Sequence, residues 1–302
     1  MKKTLIALAA LASTAAFAQS SVTVSGIVDA NVNRAIGATT TSLGQATASR
    51  LRFIGTEDLG GGLKAHFALD HRFNTDTGAQ SNPNSFWGGY STVGLSGAFG
   101  KVDLGRTYSA AFYTALDGDV FGYDGVAANS ATAGAGTQAV RFSNGIFYTT
   151  PNFGGFTARF SYSLKEDVGA NNGTSLELKY ANGPISASVA AEKNINGNKY
   201  TGVGASYNFG VAKANLLVSK GESAAGVDSD GVLVGVVVPL GAVTLKASYA
   251  TLEVGDVKTV SQVGLGARYA FSKRTDLYAS FANNSKRDTD KNGWELGITH
   301  RF

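Results

Sequence analysis

The chain has 302 residues, of which 43% are hydrophobic and 39 are glycine, and it contains no cysteine. Its 26 basic and 22 acidic residues give a formal net charge of +4. So small an excess, scattered along the chain, is not that of a nucleic-acid-binding protein, and we expect no nucleic-acid partner.

Residues 1–18 have the pattern of a secretory signal peptide: a short basic start, the apolar run Leu5–Leu11 and an A-x-A site that ends at Ala18. We predict cleavage between Ala18 and Gln19, which leaves residues 19–302 as one domain. The apolar run is too short to cross ~30 Å of hydrocarbon as a helix. An exported chain of this size without disulfides needs another source of stability, and a closed barrel with every backbone group paired is one.

From Ser21 onward the dominant hydrophobic period is two, and no segment of helical period competes with it. In Phe156–Ser163, for example, Phe, Ala and Tyr alternate with Thr, Arg and Ser. Alternation of this kind indicates strands with one apolar and one polar face. We predict sixteen strands, at residues 22–34, 47–58, 63–73, 85–97, 101–108, 138–150, 155–165, 174–182, 184–193, 199–208, 211–222, 230–239, 242–253, 258–271, 274–284 and 292–302.

The predicted connections alternate in character. One set is tight, as at Gly183 and Leu240-Gly241, and the other is longer and polar, as at Asn74–Asn84 and Ser285–Lys291. Short turns at one rim, longer loops at the other and an even strand count are typical of an outer-membrane barrel. The predicted fold class is all-β: a 16-stranded antiparallel transmembrane β-barrel with an inward-folded loop.

A soluble β-sandwich also alternates, but its polar face points outward and its apolar face lies inside. Here charged residues occupy many predicted inner-face positions, and aromatic residues cluster toward strand ends, as in the girdles at membrane interfaces. Both features favour the barrel. The charged positions are Lys64, Asp70, Arg72, Arg159, Glu177, Lys179, Lys246, Arg268 and Glu295.

The longest connection runs from Ser109 to Thr137. Loops of this length are uncommon and are usually functional or disordered, and the apolar and aromatic residues of this one argue against disorder. It carries Asp117, Asp119 and Asp124. We predict that it folds into a barrel with basic walls, where it narrows a water-filled channel with its aspartates facing the pore. An alternative is that the aspartates are solvated turn residues, since Asp117 and Asp124 each precede a glycine.

Four arginines are the candidates for the basic wall. Arg50 and Arg52 share one strand face, opposite apolar neighbours, and should face the lumen. Arg141 is assigned to the lumen by the same alternation. Arg106 shares its parity with apolar Leu104, so strict alternation would turn it toward lipid unless a bulge flips it or the strand ends first. Charged side chains around a pore select solutes by charge.

The last predicted strand is the most specific single segment. Trp294, Leu296, Ile298 and Phe302 share an apolar face, which we expect to lie against lipid and to serve membrane insertion, with Phe302 at the membrane interface. His300 lies on the same face and is a departure from the pattern, although it is near enough to the rim to reach water.

The run Ser49–Ala65 (SRLRFIGTEDLGGGLKA), together with the terminal strand, resembles the general trimeric porins of Gram-negative bacteria, most closely their β-proteobacterial branch. Shorter matches lie throughout the remainder of the chain after the signal peptide. They include Ser21–Val28, Phe99–Arg106, Pro151–Phe156, Tyr207–Gly210 and His300–Phe302.

The resemblance implies sixteen antiparallel strands, a homotrimer and a third extracellular loop folded into each pore, which falls on Ser109–Thr137. It also implies a wall of arginines facing acidic groups on this loop, and Arg50, Arg106 and Arg141 match the family's motif positions. Gly88-Gly89-Tyr90 stands where some relatives carry a further arginine, so the sign of the ion selectivity stays open. The expected partners are outer-membrane lipid, lipopolysaccharide, the barrel-assembly machinery, ions and small hydrophilic solutes.

The expected function is passive diffusion of ions and small hydrophilic solutes through a water-filled channel in the outer membrane, without a cofactor. An outer-membrane enzyme is one alternative, but His66, His71 and His300 lie scattered, with no partner at a triad spacing. An adhesin or receptor is the other, and connections as short as Ile195–Asn198 argue against its long surface loops. The sequence shows no metal-ligand cluster, and calcium binding by acidic loops stays open.

Overall fold

A computed structural model describes residues 20–166 and 171–302. The predicted signal peptide, with its cleavage site between Ala18 and Gln19, lies outside these residues. The strands, in chain order, are β1 (Ser21–Arg34), β2 (Ser42–Gly44), β3 (Ser49–Gly60), β4 (Leu63–Phe73), β5 (Ser91–Gly97), β6 (Gly100–Tyr108), β7 (Arg141–Thr149), β8 (Phe156–Ser163), β9 (Gly173–Asn182), β10 (Ile185–Lys193), β11 (Lys199–Asn208), β12 (Lys213–Glu222), β13 (Asp228–Leu240), β14 (Val243–Val254), β15 (Val257–Ala270), β16 (Thr275–Asn284) and β17 (Asn292–Arg301).

Within the described residues, β2 is a three-residue strand beside β1, and the other sixteen strands form one closed antiparallel barrel. Each barrel strand pairs with its sequence neighbours, and β1 completes the ring. Residues 21–27 of β1 pair with β3, and residues 27–34 pair with β17. Closure leaves no unpaired sheet edge, which is the condition for strands to cross hydrocarbon. The predicted barrel is confirmed.

The outer face of the barrel is apolar and the inner face is polar. In β9, Leu176 and Leu178 are exposed, whereas Ser175 and Glu177 between them are buried. The same alternation in β17 leaves Leu296 59% exposed beside a buried Glu295. A soluble sandwich has the opposite arrangement, so the lipid-facing pattern supports a membrane barrel.

The terminal strand lies as predicted. Leu296, Ile298 and Phe302 are exposed on its apolar face, and Trp294 is half-buried on the same face. The amide of Gly26 donates to the Phe302 carbonyl at 2.9 Å, so the end of the chain is paired with β1. His300 is exposed on the lipid side, and its Nδ1 lies 2.8 Å from the Thr275 hydroxyl near the rim.

One predicted strand is too long. The sequence alternation predicted a strand over 85–97, but β5 begins only at Ser91. Residues 88–90 instead approach the inner side of β4, where Gly89 donates its amide to the Asp70 carbonyl at 3.0 Å. A Cβ at Gly89 would collide with the Asp70 side chain, so the glycine permits this approach. The short strand β2 was not predicted.

Candidate pore constriction

The long connection 109–137 contains two helices, α1 (Ala110–Gly118) and α2 (Ser130–Ala133). Neither of these two helices in the described part of the chain is long and apolar enough to cross a membrane. α1 packs against β8 to β13, and α2 packs against β12 to β14. Their partners are the buried side chains of these strands, both serines and apolar residues such as Leu217 and Leu233, which lie opposite the exposed apolar ones. The connection therefore packs against the inner side of these strands.

Serines hold the beginning of α1. The Ser109 hydroxyl caps the helix by accepting from the Phe112 amide at 3.3 Å. The first two amides of the helix donate to hydroxyl groups of the barrel wall. Ala110 donates to Ser161 Oγ at 2.9 Å, and Ala111 donates to Ser175 Oγ at 2.8 Å. The first amides of a helix have no partner within it. The wall supplies those partners and fixes where α1 begins.

Small residues of the wall hold the second helix. The hydroxyl of Ser219 donates to the Thr132 carbonyl at 2.6 Å, and that of Ser229 donates to the Ala135 carbonyl at 2.6 Å. Gly231 faces the same backbone, and a Cβ placed there would lie 2.6 Å from the Thr132 oxygen. The loop backbone therefore approaches the wall more closely than a larger side chain would allow.

An ion pair lies beneath α1. Arg159 pairs with Glu177, whose side chain is fully buried, and the Thr114 hydroxyl of α1 donates to the same carboxylate at 3.3 Å. The Arg159 guanidinium also lies 4.2 Å from the ring centroid of Tyr113. The pair, with Thr114 and Tyr113, therefore supports the helix. Its two charges contact each other and the loop.

Asp119 is not exposed to the lumen. It is 3% exposed, and its carboxylate accepts backbone amides from Phe121 at 3.0 Å, Asn129 at 2.9 Å and Tyr123 at 3.2 Å. Burial raises the pKa of Asp119, and these three amides oppose the rise. The prediction that this aspartate faces the pore is wrong, because the turn after α1 needs an acceptor for its unpaired amides.

The other two aspartates of the loop are less buried than Asp119. Asp117 pairs with Lys179 and keeps 47% of its side chain exposed. Asp124 is half-buried, and its Oδ2 accepts from the Thr47 hydroxyl at 2.8 Å. Burial raises the pKa of Asp124, and the Thr47 bond and the positive charge of Arg50 oppose the rise.

Three predicted arginines lie together on the wall opposite the loop and bond only to uncharged oxygens. Their bonds run from Arg50 Nε to Ala48 O at 2.7 Å, from Arg106 Nε to Gly88 O at 3.3 Å, from Arg106 Nη1 to Ser143 Oγ at 2.7 Å, and from Arg141 Nε to Gly89 O at 2.9 Å. Among the described residues, no carboxylate oxygen lies within 4.0 Å of these three guanidinium groups.

Two further arginines share one carboxylate. Arg52 Nε lies 2.7 Å from Asp70 Oδ2, and Arg72 Nε lies 3.2 Å from Asp70 Oδ1. Arg72 was placed on the inner face from the sequence but not at the constriction. Its position directly across from Arg50 on the neighbouring strand was the missed signal. We call Arg50, Arg52, Arg72, Arg106 and Arg141 the arginine cluster.

Arg106 is turned inward by a bulge. Strict alternation along β6 would place it on the lipid face with Leu104. The register between β6 and β7 shifts between Gly105 and Thr107, and Gly105 has a φ of +124°. Only glycine adopts such a backbone conformation readily. This reverses the alternation and brings the guanidinium to Ser143, which confirms the bulge alternative.

Two tyrosines that sequence reasoning missed lie among the arginines. The rings of Tyr90 and Tyr108 meet edge to face at 5.2 Å. Arg141 lies 4.5 Å from the Tyr108 centroid, and Arg52 lies 5.8 Å from that of Tyr90. Burial raises the pKa of Tyr90, so its phenol stays neutral. The ring faces stabilise neighbouring guanidinium groups without neutralising them.

The closed barrel, its apolar outer face and its charged lumen together define an outer-membrane channel protein. The chain belongs to the Gram-negative porin family, because the family model matches residues 4–289. It is an outer-membrane porin, a channel rather than an adhesin, and its relatives are channels rather than enzymes. The family resemblance in the sequence is confirmed.

Known relatives agree with this assignment. The outer membrane porin protein 32 of Delftia acidovorans is 38% identical over 97% of this chain and 92% of its own length. A solved structure described as an anion-selective porin from Comamonas acidovorans is 34% identical, with a TM-score of 0.82 over 94% of this chain and 100% of that one. OmpT of Vibrio cholerae, in a trimer form, shares the fold at 15% identity and a TM-score of 0.77 over 94% of this chain and 99% of its own.

Proposed function

We propose that loop 109–137 and the arginine cluster form the constriction of this porin, and that the constriction favours anions. The observation that carries the proposal is the set of guanidinium groups that have no carboxylate partner among the described residues. Arg50, Arg106 and Arg141 hold their positions through carbonyl and hydroxyl oxygens, so their charge is not cancelled locally. Arginine stays charged at any working pH.

The opposite side of the constriction carries less free charge. Asp117 is paired with Lys179, Asp119 is turned into the loop, and Asp124 is half-buried beside Thr47. A permeating anion thus meets several guanidinium groups and one unpaired aspartate of the loop. The field still crosses the pore from one wall to the other, so polar solutes align with it while apolar solutes must displace ordered water. The description of the Comamonas relative as anion-selective supports this preference.

We further propose that the porin is a homotrimer that inserts after removal of residues 1–18. The face of β1 that carries Val22, Val24 and Val28 is exposed and apolar, which suits close packing of a second copy. The trimer form of the Vibrio relative is consistent with this. Lipopolysaccharide around the outer rim and recognition of the terminal strand by the barrel-assembly machinery complete the proposed set of partners.

The test is a planar lipid bilayer containing the purified porin under a potassium chloride gradient. We expect conductance steps in groups of three and a reversal potential of the sign given by chloride permeation. Arg50→Ala and Arg141→Ala should each move the reversal potential toward cation preference. An unchanged ion preference in both variants would contradict the constriction assignment, and a cation-preferring parent would contradict the proposed selectivity.

A further inference from the structure

We propose that Lys246 and Asp124 form a subsite for small zwitterions, such as a free α-amino acid, in the lumen beside Phe121. The inference deepens the proposed function, because it requires the loop to lie inside an open channel. It concerns the stretch of wall between the loop-bearing strands and the arginine cluster, on strands β14 to β17.

Lys246 projects from the inner face of β14. Its ammonium lies 5.5 Å from the ring centroid of Phe121, whose ring packs over the backbone of Gly266. Among the residues that the structure describes, no carboxylate oxygen lies within 4.0 Å of Lys246. The ring therefore fixes the direction of the ammonium, and its N–H donors remain available to a solute.

The neighbouring arginine supports a negative charge beside Lys246. Arg268 lies on the same inner face, and its guanidinium is 5.8 Å from the Tyr278 centroid. It pairs with Asp276 at 2.5 Å, and the same carboxylate also binds Arg301. One carboxylate thus serves two arginines, so a solute carboxylate bound by Lys246 would lie beside an arginine whose partner is shared.

Asp124 supplies the opposite charge across the same cavity. The cavity has a volume of about 50 Å³ and is lined by Lys246, Arg268, Phe121, Tyr278, Asp124 and Glu295, among others. One carboxylate oxygen of Asp124 accepts from the Thr47 hydroxyl. Asp124 forms no ion pair of 4.0 Å or less with any described residue. Glu295, in contrast, is 4% exposed and accepts from Asn31 at 3.0 Å.

An ammonium and a carboxylate that line one cavity without touching are complementary to a ligand that carries both charges. A solute carboxylate can accept from Lys246 while its ammonium donates to Asp124, so both protein charges gain a partner at once. One water needs about 10–15 Å³ of such volume. A cavity of about 50 Å³ therefore has room for a few waters or for a molecule of about the size of glycine.

The test measures block of single-channel current in planar bilayers at mildly alkaline pH, where Asp124 is ionised. Three probes of similar size are added on the side of the short turns: glycine, acetate and methylammonium. We expect glycine to reduce the chloride current with saturation, and each singly charged probe to need about a tenfold higher concentration, because it makes only one of the two charged contacts.

Lys246→Gln and Asp124→Asn should each raise the half-blocking concentration of glycine about tenfold, and Lys246→Arg should restore it. Lys213→Gln, which removes an exposed lysine from β12, is the matched control and should behave as the parent. If acetate blocks the current as strongly as glycine does, the subsite is only an anion site. If methylammonium does, it is only a cation site. If block by glycine rises linearly with concentration and does not saturate, there is no subsite. Each of these outcomes overturns the proposal.

The reversal potential is recorded in the same bilayers. Anion preference without saturable glycine block would leave the proposed function intact and remove only the subsite. A folded protein without current would remove both.

Discussion

The two sides of the lumen differ in their side chains and in what they contact. The inner face of β8–β14, the loop-bearing wall, presents serines, glycines and buried apolar residues such as Leu217 and Leu233, and its Arg159 is paired with Glu177. The inner face of β3–β7, the arginine wall, presents five guanidinium groups and a single carboxylate partner at Asp70. One wall buries a segment of chain, and the other keeps charge next to water.

The difference follows from where the water is. The loop backbone excludes water from its wall, so every polar group there needs a protein partner, and small side chains let the backbones approach each other. Apart from Arg50, which is 8% exposed and bonds to the Ala48 carbonyl, the arginine wall borders the aqueous lumen, where water and carbonyl oxygens solvate a guanidinium group. A charge without a carboxylate partner is therefore tolerated on that wall.

The largest effect should come from removing the loop that separates the walls. Deletion of Phe112–Tyr123 takes out most of α1 and the turn that follows it. We expect single-channel conductance to rise by about twofold or more, because the loop no longer narrows the water-filled cross section. The check is conductance in potassium chloride, with folding verified by the heat-dependent mobility of the barrel in gel electrophoresis. A folded variant with unchanged or smaller conductance would contradict an obstructing loop.

A smaller displacement of the loop should follow from one methyl group on its wall. In Gly231→Ala the new Cβ would lie 2.6 Å from the Thr132 backbone oxygen, so the segment around α2 must move. We expect noisier current and a conductance between those of the parent and the deletion. Gly204→Ala is the control on the same wall, since its Cβ would meet the Ser188 hydroxyl at 3.3 Å and no closer atom. Equal behaviour of the two variants would show that close packing at Gly231 does not position the loop.

The barrel itself was predictable because hydrophobic residues alternate with polar ones in almost every strand. The side of each strand that faces lipid follows from the same alternation, which is why Arg50, Arg52 and Arg141 were assigned to the inner face, where their hydrogen-bond partners lie. The pattern failed where the backbone stops alternating. Residues 88–90 continue an apolar stretch in sequence, yet they turn inward at a glycine that fits against Asp70.

The site was harder to predict than the fold, because its residues meet through tertiary contacts. The inward turn of Arg106 depends on a bulge at Gly105, which alternation allows only as an exception. Asp119 is an acidic residue in the pore loop, but its carboxylate accepts backbone amides of a turn and does not face the pore. The distinction between it and Asp124 depends on which amides the loop leaves unpaired, and a single sequence does not state this.

Selectivity should separate the two walls. Arg106→Gln removes a charge that pairs with no carboxylate in residues 20–166 and 171–302. A unit charge about 10 Å away in water changes an ion's energy by about 0.4 kcal/mol. We therefore expect the anion-to-cation permeability ratio to fall by about twofold to fourfold, since the anion loses what the cation gains. The measurement is the reversal potential in a salt gradient.

Arg159→Gln is the matched variant on the loop-bearing wall. It leaves the Glu177 carboxyl buried without a charged partner, and such a group neutralises rather than remain charged. The net charge of the lumen is then unchanged, so selectivity should stay near that of the parent while the loop loses support. If Arg159→Gln shifts the reversal potential as far as Arg106→Gln, paired and unpaired arginines contribute alike, and the contrast between the walls fails.

The smallest effect should be the pH response of the loop's unpaired aspartate. Burial raises the pKa of Asp124, so it takes up a proton at a higher pH than an exposed aspartate does. The arginines stay charged throughout. As the pH falls through the raised pKa, the loop loses negative charge and anion preference should increase, by about twofold or less for one half-buried charge.

Asp124→Asn should show the increased preference already at neutral pH and a flatter profile below it. Asp117→Asn is the comparison, because Asp117 is exposed and paired with Lys179. A profile that Asp124→Asn leaves unchanged would place the titrating group elsewhere and remove this aspartate from the field across the pore.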